Sequence, residues 1–318
     1  MPTRRTNRTP LVFVPGVFGS MSSSIIRGTG HWSFGVAGVF YEPFIDMLKQ
    51  MGYRLHMDLF IAYYDWRQRI PDIVENYLKP VIQEAKRVSG ASRVNLVCHS
   101  MGGLVARGYV QSLPYWNDVD QLIMLCTPNA GSPSNYVYWT GGALAPGAET
   151  PENIVTIAMN SYLDNVKHDH PDDPIEAVHT VFPSLLELVP AREYGNYLIV
   201  GPKEEMRFVP YSAMRVQNAF LDRLNAGRAI IQHRGIQVTV IAGIETRTVQ
   251  MLRRVQGDIR SEDSGAVWQA ILSDTGDGNV LVSSVFVVEG DQYLVEGNHM
   301  QVLLRSESIL RSKLTRDK

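Results

Sequence analysis

Three residues far apart in the chain have types suited to one piece of chemistry: Ser100, Asp277 and His299. A serine hydroxyl is a weak nucleophile at neutral pH until a base takes its proton. An imidazole is suited to that task, and a carboxylate behind it holds the correct tautomer and stabilises the imidazolium. Ser100 sits at the apex of C-H-S-M-G-G, residues 98–103. The β-branched and apolar run Val94 to Val97 precedes it, and Leu104 to Gln111 reads as the start of a helix. Strand, tight turn with a serine at its apex, then helix is the context of a nucleophile elbow. The turn needs small residues two before and two after the serine. Gly102 supplies one, Gly103 lets helix and strand approach closely, and Cys98 stands where glycine is usual. Taken alone, H-S-M-G-G reads equally well as an ordinary strand-to-helix turn with a serine cap. The other two residues decide.

Asp277 lies between two glycines in T-G-D-G-N-V, and His299 follows the last strand in E-G-N-H-M. Nucleophile, acid and histidine thus come in the chain order of an α/β-hydrolase, each at or after the end of a strand. His233, His179 and Asp274 lie in plausible stretches, but only His299 follows the last strand. His99 leaves the elbow in another direction from Ser100 and reads as a supporting neighbour. The charge developing on a substrate oxygen needs donors. The N–H of Met101, just after the nucleophile, and that of Phe18 in the early P-G-V-F-G-S loop are the candidates. No cofactor is implied, since these groups suffice for acyl transfer.

The elements that must position these residues alternate through the first half of the chain. Leu11 to Val14 is a short apolar strand. Residues 21–40, rich in Ser and Gly with Trp32, Phe34 and Phe40, read as a mobile loop carrying aromatic anchors. A helix is expected over Glu42 to Met51, a strand over Tyr53 to Tyr63, and an amphipathic helix over Pro71 to Val88. The elbow follows, then a strand over Asp120 to Cys126. This alternation predicts an α/β fold, a mainly parallel sheet with helices on both faces. Residues 129–235 break the rhythm and read as a cap or lid inserted between core segments 1–128 and 236–318. Helices are expected within it near Ile154–Asn165 and Ala213–Ala226. Gln237 to Ile244 and Gln292 to Val295 return as strands, around a smaller polar insertion at about 245–275.

Composition narrows the alternatives. With 30 Lys and Arg against 32 Asp and Glu, and no basic block, nothing suggests a nucleic-acid groove. The two cysteines, Cys98 and Cys126, suit reduced, buried small hydrophobes. The arginine-bearing N-terminus lacks an apolar run of signal-peptide type, and no segment is long enough to span a bilayer. The expectation is a soluble, cytoplasmic protein with at most peripheral membrane contact. His168, Asp169, His170, Asp172 and Asp173 have the spacing and proline content of a solvated loop rather than of a metal site.

Six motifs in order resemble the lecithin:cholesterol acyltransferase family, which includes phospholipid:diacylglycerol acyltransferases and related phospholipases. They are V-P-G-V-F-G-S at 14–20, Y-D-W-R at 64–67, C-H-S-M-G-G at 98–103, T-P-N-A-G-S at 127–132, F-P-S-L-L-E-L-V-P at 182–190 and G-D-G-N-V at 276–280. Y-D-W-R with F-P-S-L is far more specific than a serine elbow. The resemblance implies an α/β-hydrolase with a cap and mobile lid over an acyl-binding cleft. It implies Ser100, Asp277 and His299 as triad and Phe18 and Met101 as oxyanion donors. It departs from the family at Cys98, and at Asn279 where threonine is common. The secretory signal and lid disulfide of the plasma enzyme have no counterpart, so its cholesterol-esterifying role is not implied. Together these readings predict an acyl-ester hydrolase or O-acyltransferase on a lipid ester, contacting a membrane surface transiently and no nucleic acid. A small-ester or lactone hydrolase is the alternative, and a catalytically silent binding protein a further one.

Overall fold

The structure is a computed structural model that describes residues 8–22, 31–148, 154–201, 205–256 and 267–315. Six parallel strands form its central sheet: β1 (Leu11–Val14), β2 (Leu59–Ile61), β3 (Val94–His99), β4 (Val119–Leu125), β5 (Gln237–Ile244) and β6 (Asp291–Glu296). Their order across the sheet is β6-β5-β4-β3-β1-β2. Strands of a parallel sheet covered on both faces read as continuous apolar runs rather than alternating ones. β1 shows this most plainly, since all four of its residues are fully buried. Val12 and Val14 face a helical layer containing Ile73, Ile82 and Leu104. Leu11 and Phe13 face the other layer, with Phe44, Leu48, Leu303 and Leu310.

The expected elements are present, with informative changes in extent. The helix expected over Pro71 to Val88 runs from Ile70 to Ser89 but contains a π-helical segment, Val74–Leu78. Lys79 N–H bonds to Val74 O, five residues back. Pro80 cannot donate and its ring would meet the carbonyl four residues earlier, so the wider turn removes a clash. The strand expected over Tyr53 to Tyr63 shrinks to β2, because His56 adopts φ 62° in the turn before it. The 21–40 stretch is not simply a loop. Met21–Ser22 pairs antiparallel with Trp32–Ser33, and Phe34 is a core residue stacked on Tyr41 at 5.0 Å. Residues 23–30 lie outside the described ones.

Between β4 and β5 lie α-helices Pro133–Gly141, Ile154–Asp169, Pro174–Val181 and Ala219–Ala226. The last starts later than Ala213 because Asn218 caps it, its side chain accepting from Leu221 N–H. The segment at 245–275 is not a free polar insertion. Thr248–Gln256 and Val267–Ser273 form an antiparallel pair, and Thr248–Gln256 also pairs in parallel with Leu198–Val200. It thereby completes a second, four-stranded sheet that ends in Arg207–Phe208.

Two of the sequence motifs clasp this region to the core. Ser184 Oγ donates to Trp66 O at 2.6 Å, and Phe182 packs on the Trp66 ring at 4.9 Å. Glu187, 1% exposed, accepts from Ile70 N–H at 2.6 Å and from Arg69 Nε at 2.8 Å. A buried carboxylate that satisfies a backbone donor is costly to remove, because the donor is left without a partner. Glu187→Ala is expected to lower stability by about 1–3 kcal/mol, and Glu187→Gln, which keeps an acceptor for Ile70, by less. Urea denaturation of the three proteins measures the difference. Equal losses in both variants would mean that the Arg69 ion pair, not the backbone acceptor, matters.

Candidate active site

The elbow is built from β3 and the helix Met101–Val110, with Ser100 between them at φ 54°, ψ −128°. That backbone is strained for a residue with a Cβ, and persists where neighbours over-determine it. Ser100 N–H donates to Leu125 O at 2.8 Å, and Gly103 N–H donates to Ser100 O at 3.0 Å. The requirement for glycine after the serine is one of approach. A Cβ on Gly102 would stand 2.3 Å from Val14 O, and one on Gly103 2.0 Å from Thr127 Oγ1. Cys98 fits two residues before, as a free, fully buried thiol on β3.

Asp277 and His299 are brought together across 22 residues of sequence, both almost completely buried. His299 Nδ1 donates to Asp277 Oδ2 at 2.7 Å, and His299 N–H donates to Asp277 O at 2.8 Å. The other carboxylate oxygen, Oδ1, accepts from Asn279 N–H at 2.9 Å and Val280 N–H at 2.7 Å. Burial alone would raise this carboxyl's pKa. The facing His299 and the two backbone donors outweigh burial and hold it below the usual carboxylate range. Cys126 backs the pair, its Sγ within 4.8 Å of their donor atoms. Burial first, and the Asp277 carboxylate second, push its thiol pKa up, so it stays neutral.

The early loop closes as a turn in which Gly19 N–H donates to Gly16 O at 3.0 Å and Phe18 takes φ 60°. It is pinned by Tyr64, whose OH donates to Pro15 O at 2.6 Å. The Phe18 ring packs on Trp66 at 4.6 Å, so Y-D-W-R holds this turn as well as the segment around Phe182. Gly16, Val17, Ser100 and His299 line one cavity. Phe18 lines an adjoining apolar cavity instead, with Val36, Phe40, Ile154 and Met300, and Val17 borders both. Met101 opens its helix, where the first amides have no intrahelical acceptor.

The rival residues lie elsewhere. His233 and Asp274 are exposed, and His179 stacks on Trp139 at 3.7 Å within the inserted region. His168, Asp169, His170, Asp172 and Asp173 are all exposed, and Asp173 caps the helix Pro174–Val181. Sequence reading missed Tyr41. It lies just before the helix expected from Glu42, inside the observed helix Gly38–Gln50, and its hydroxyl is 2.8 Å from His99 Nδ1.

Comparisons with known proteins bear on the fold and on part of the sequence. A sequence model of the family "Lecithin:cholesterol acyltransferase" matches residues 33–180. That span holds Ser100 but neither Asp277 nor His299. Phospholipase A(1) LCAT3 of Arabidopsis thaliana is 33% identical over 116 residues, 35% of this chain and 26% of that protein. Lysosomal thioesterase PPT2-B of Xenopus laevis is 38% identical over 58 residues, 18% of each. The chain thus matches about a quarter or less of the length of these relatives. Among solved structures, mature lipase BlEst2 of Bacillus licheniformis superposes with a TM-score of 0.55 at 14% identity. That match covers 99% of this chain and 96% of the lipase. The fold is that of the α/β-hydrolases, and residues 33–180 are similar in sequence to the lecithin:cholesterol acyltransferase family.

Proposed function

We propose that the chain is a serine-dependent acyl-ester hydrolase or O-acyltransferase acting on a lipid ester. The observation that carries this reading is the Asp277–His299 pair, hydrogen-bonded at 2.7 Å, whose histidine lines one cavity with the strained Ser100. His299 takes the Ser100 proton, Ser100 Oγ adds to the ester carbonyl, and Asp277 stabilises the imidazolium. The oxyanion is met by the amides of Met101 and of the turn at Val17 and Phe18. Collapse expels the alcohol with the proton from His299 and leaves an acyl-Ser100. Water then gives a free acid, and an alcohol gives a new ester.

A lipid substrate is favoured by the surroundings. The apolar cavity adjoining that of Ser100 is bordered by Val17, Phe18, Val36, Phe40, Ile154 and Met300. Of these Val36 is more than 70% exposed and Ile154 about half, and on the same stretches Val39 and Ile157 are also exposed. Apolar side chains concentrated at a cavity mouth suit contact with a lipid aggregate. Among the described residues no helix is long and apolar enough to cross a membrane.

The test is mass spectrometry of products from mixed phospholipid and neutral-lipid vesicles, with and without a long-chain alcohol, using Ser100→Ala as control. Free fatty acid with lysolipid identifies a phospholipase, and a new ester appearing with the alcohol identifies an acyltransferase. Turnover should rise sharply once the lipid is presented as an aggregate. Efficient cleavage of short soluble esters without any lipid turnover would replace this reading with that of a small-ester hydrolase.

A further inference from the structure

His99, adjacent to the serine, is linked on both sides to other parts of the site. Gly16 N–H donates to Tyr41 Oη at 3.0 Å, and Tyr41 Oη is 2.8 Å from His99 Nδ1. His99 Nε2 is 3.0 Å from the His299 carbonyl oxygen. The last contact fixes the proton arrangement: a carbonyl only accepts, so Nε2 carries the hydrogen and Nδ1 is the free lone pair. Tyr41 O–H then donates to Nδ1 while its oxygen accepts from Gly16. The result is one unidirectional chain: Gly16 N–H, Tyr41 O–H, His99, His299 C=O. Both side chains are about 1% exposed, so water does not substitute for either.

We infer that the Tyr41–His99 pair is a positioning device that sets the oxyanion turn and His299 in register with each other. It rests on the proposed triad. The chain ties Gly16, whose Cα hydrogen faces Ser100 so closely that a Cβ would stand 2.8 Å from the serine Cβ, to the backbone that carries the base. The two ends belong to segments about 280 residues apart, with no covalent reason to keep a fixed spacing. The arrangement works only with His99 neutral. A proton on Nδ1 would leave Tyr41 O–H without its acceptor and reverse the direction of that link, and a charge there would oppose the imidazolium forming on His299, whose ring centroid is 4.7 Å away. Burial, followed by the neighbouring His299, pushes the His99 pKa down to about 3, so the chain stays intact over the working range.

Tyr41→Phe removes one oxygen and keeps the ring, breaking the chain in its middle. Hydrolysis of p-nitrophenyl butyrate is expected to lose about 10–100-fold in kcat with KM within about twofold of wild type. Inhibition by phenylboronic acid, which forms a tetrahedral adduct on the serine, should weaken by the same factor as kcat/KM. His99→Gln keeps a donor for the His299 carbonyl and should retain more kcat than His99→Leu. A merely structural role predicts instead a lower Tm with kcat and boronate affinity unchanged, which would overturn the inference while leaving the triad intact. Wild-type protein that neither hydrolyses the ester nor takes a fluorophosphonate at Ser100 would remove the triad reading itself. If His99→Leu does not fold, Tyr41→Phe and His99→Gln still decide.

Discussion

Ser100→Ala is expected to abolish ester turnover, by at least about 10⁴-fold in kcat, while leaving the protein folded and as stable as wild type. The size follows from the acyl-enzyme route. Without Oγ there is no covalent intermediate, and what remains is binding and oxyanion stabilisation acting on a water never positioned for attack. The stability half is equally specific. Ser100 is only partly buried, its backbone amide is bonded to Leu125 O, and neither alanine nor serine relieves φ 54°. The substitution removes an oxygen from a cavity wall and leaves every backbone hydrogen bond in place. Labelling with a fluorophosphonate probe should be lost in the variant, and urea midpoints should coincide. Two results would each count against the assignment: residual labelling, which would move the nucleophile elsewhere, or severe unfolding, which would make the serine structural.

The elbow was legible because its demands are local. A strand of six buried residues, a serine and two glycines are adjacent in sequence, and the close approaches of Gly102 and Gly103 explain their identity. Asp277 and His299 could be paired from chain order and strand ends. What made the pairing tight, the two amides of Asn279 and Val280 on Oδ1, follows from the turn that Gly278 permits at φ 95°. The Tyr41 contact was not legible, because a helix with apolar spacing gives no sign of which tyrosine hydroxyl meets a buried histidine. The pairing of Thr248–Gln256 with Leu198–Val200 was hidden for a different reason. Those strands are about 50 residues apart, and the glutamines and arginines of Thr248–Gln256 resemble those of a surface insertion until the partner strand is known. In Y-D-W-R the Asp65–Arg67 ion pair, 2.7 Å from Nε to Oδ1, and a Trp66 covering apolar surface were legible from residue types, but that the motif meets F-P-S-L was not. The role of the two motifs is contact with each other, through Trp66, Phe182 and Ser184, and with the turn that carries Phe18.

Asp277→Asn is the second substitution with a large expected effect, and the direction follows from the hydrogen-bond inventory. The two backbone N–H groups at Oδ1 require an acceptor, so the asparagine carbonyl must face Asn279 and Val280. Its NH₂ then faces His299 Nδ1, which must give up its hydrogen and accept. The ring proton moves to Nε2, the nitrogen that has to receive the serine proton, and the base is lost although the geometry is kept. A fall of about 10⁴-fold in kcat is expected, with substrate affinity little changed. The same substitution separates catalysis from stability through pH. Because the carboxyl is held below its ordinary value of 3.8, its charged form contributes stability that is fully present above that value. This contribution is lost as pH falls through the lower folded-state value. The stability advantage of wild type over Asp277→Asn should therefore be flat near neutrality and shrink in acid, measurable by urea denaturation across that range. An advantage that instead grows as pH falls from neutrality towards about 4 would mean that burial outweighs the His299, Asn279 and Val280 contacts, and that the carboxyl is protonated more easily than its partners allow.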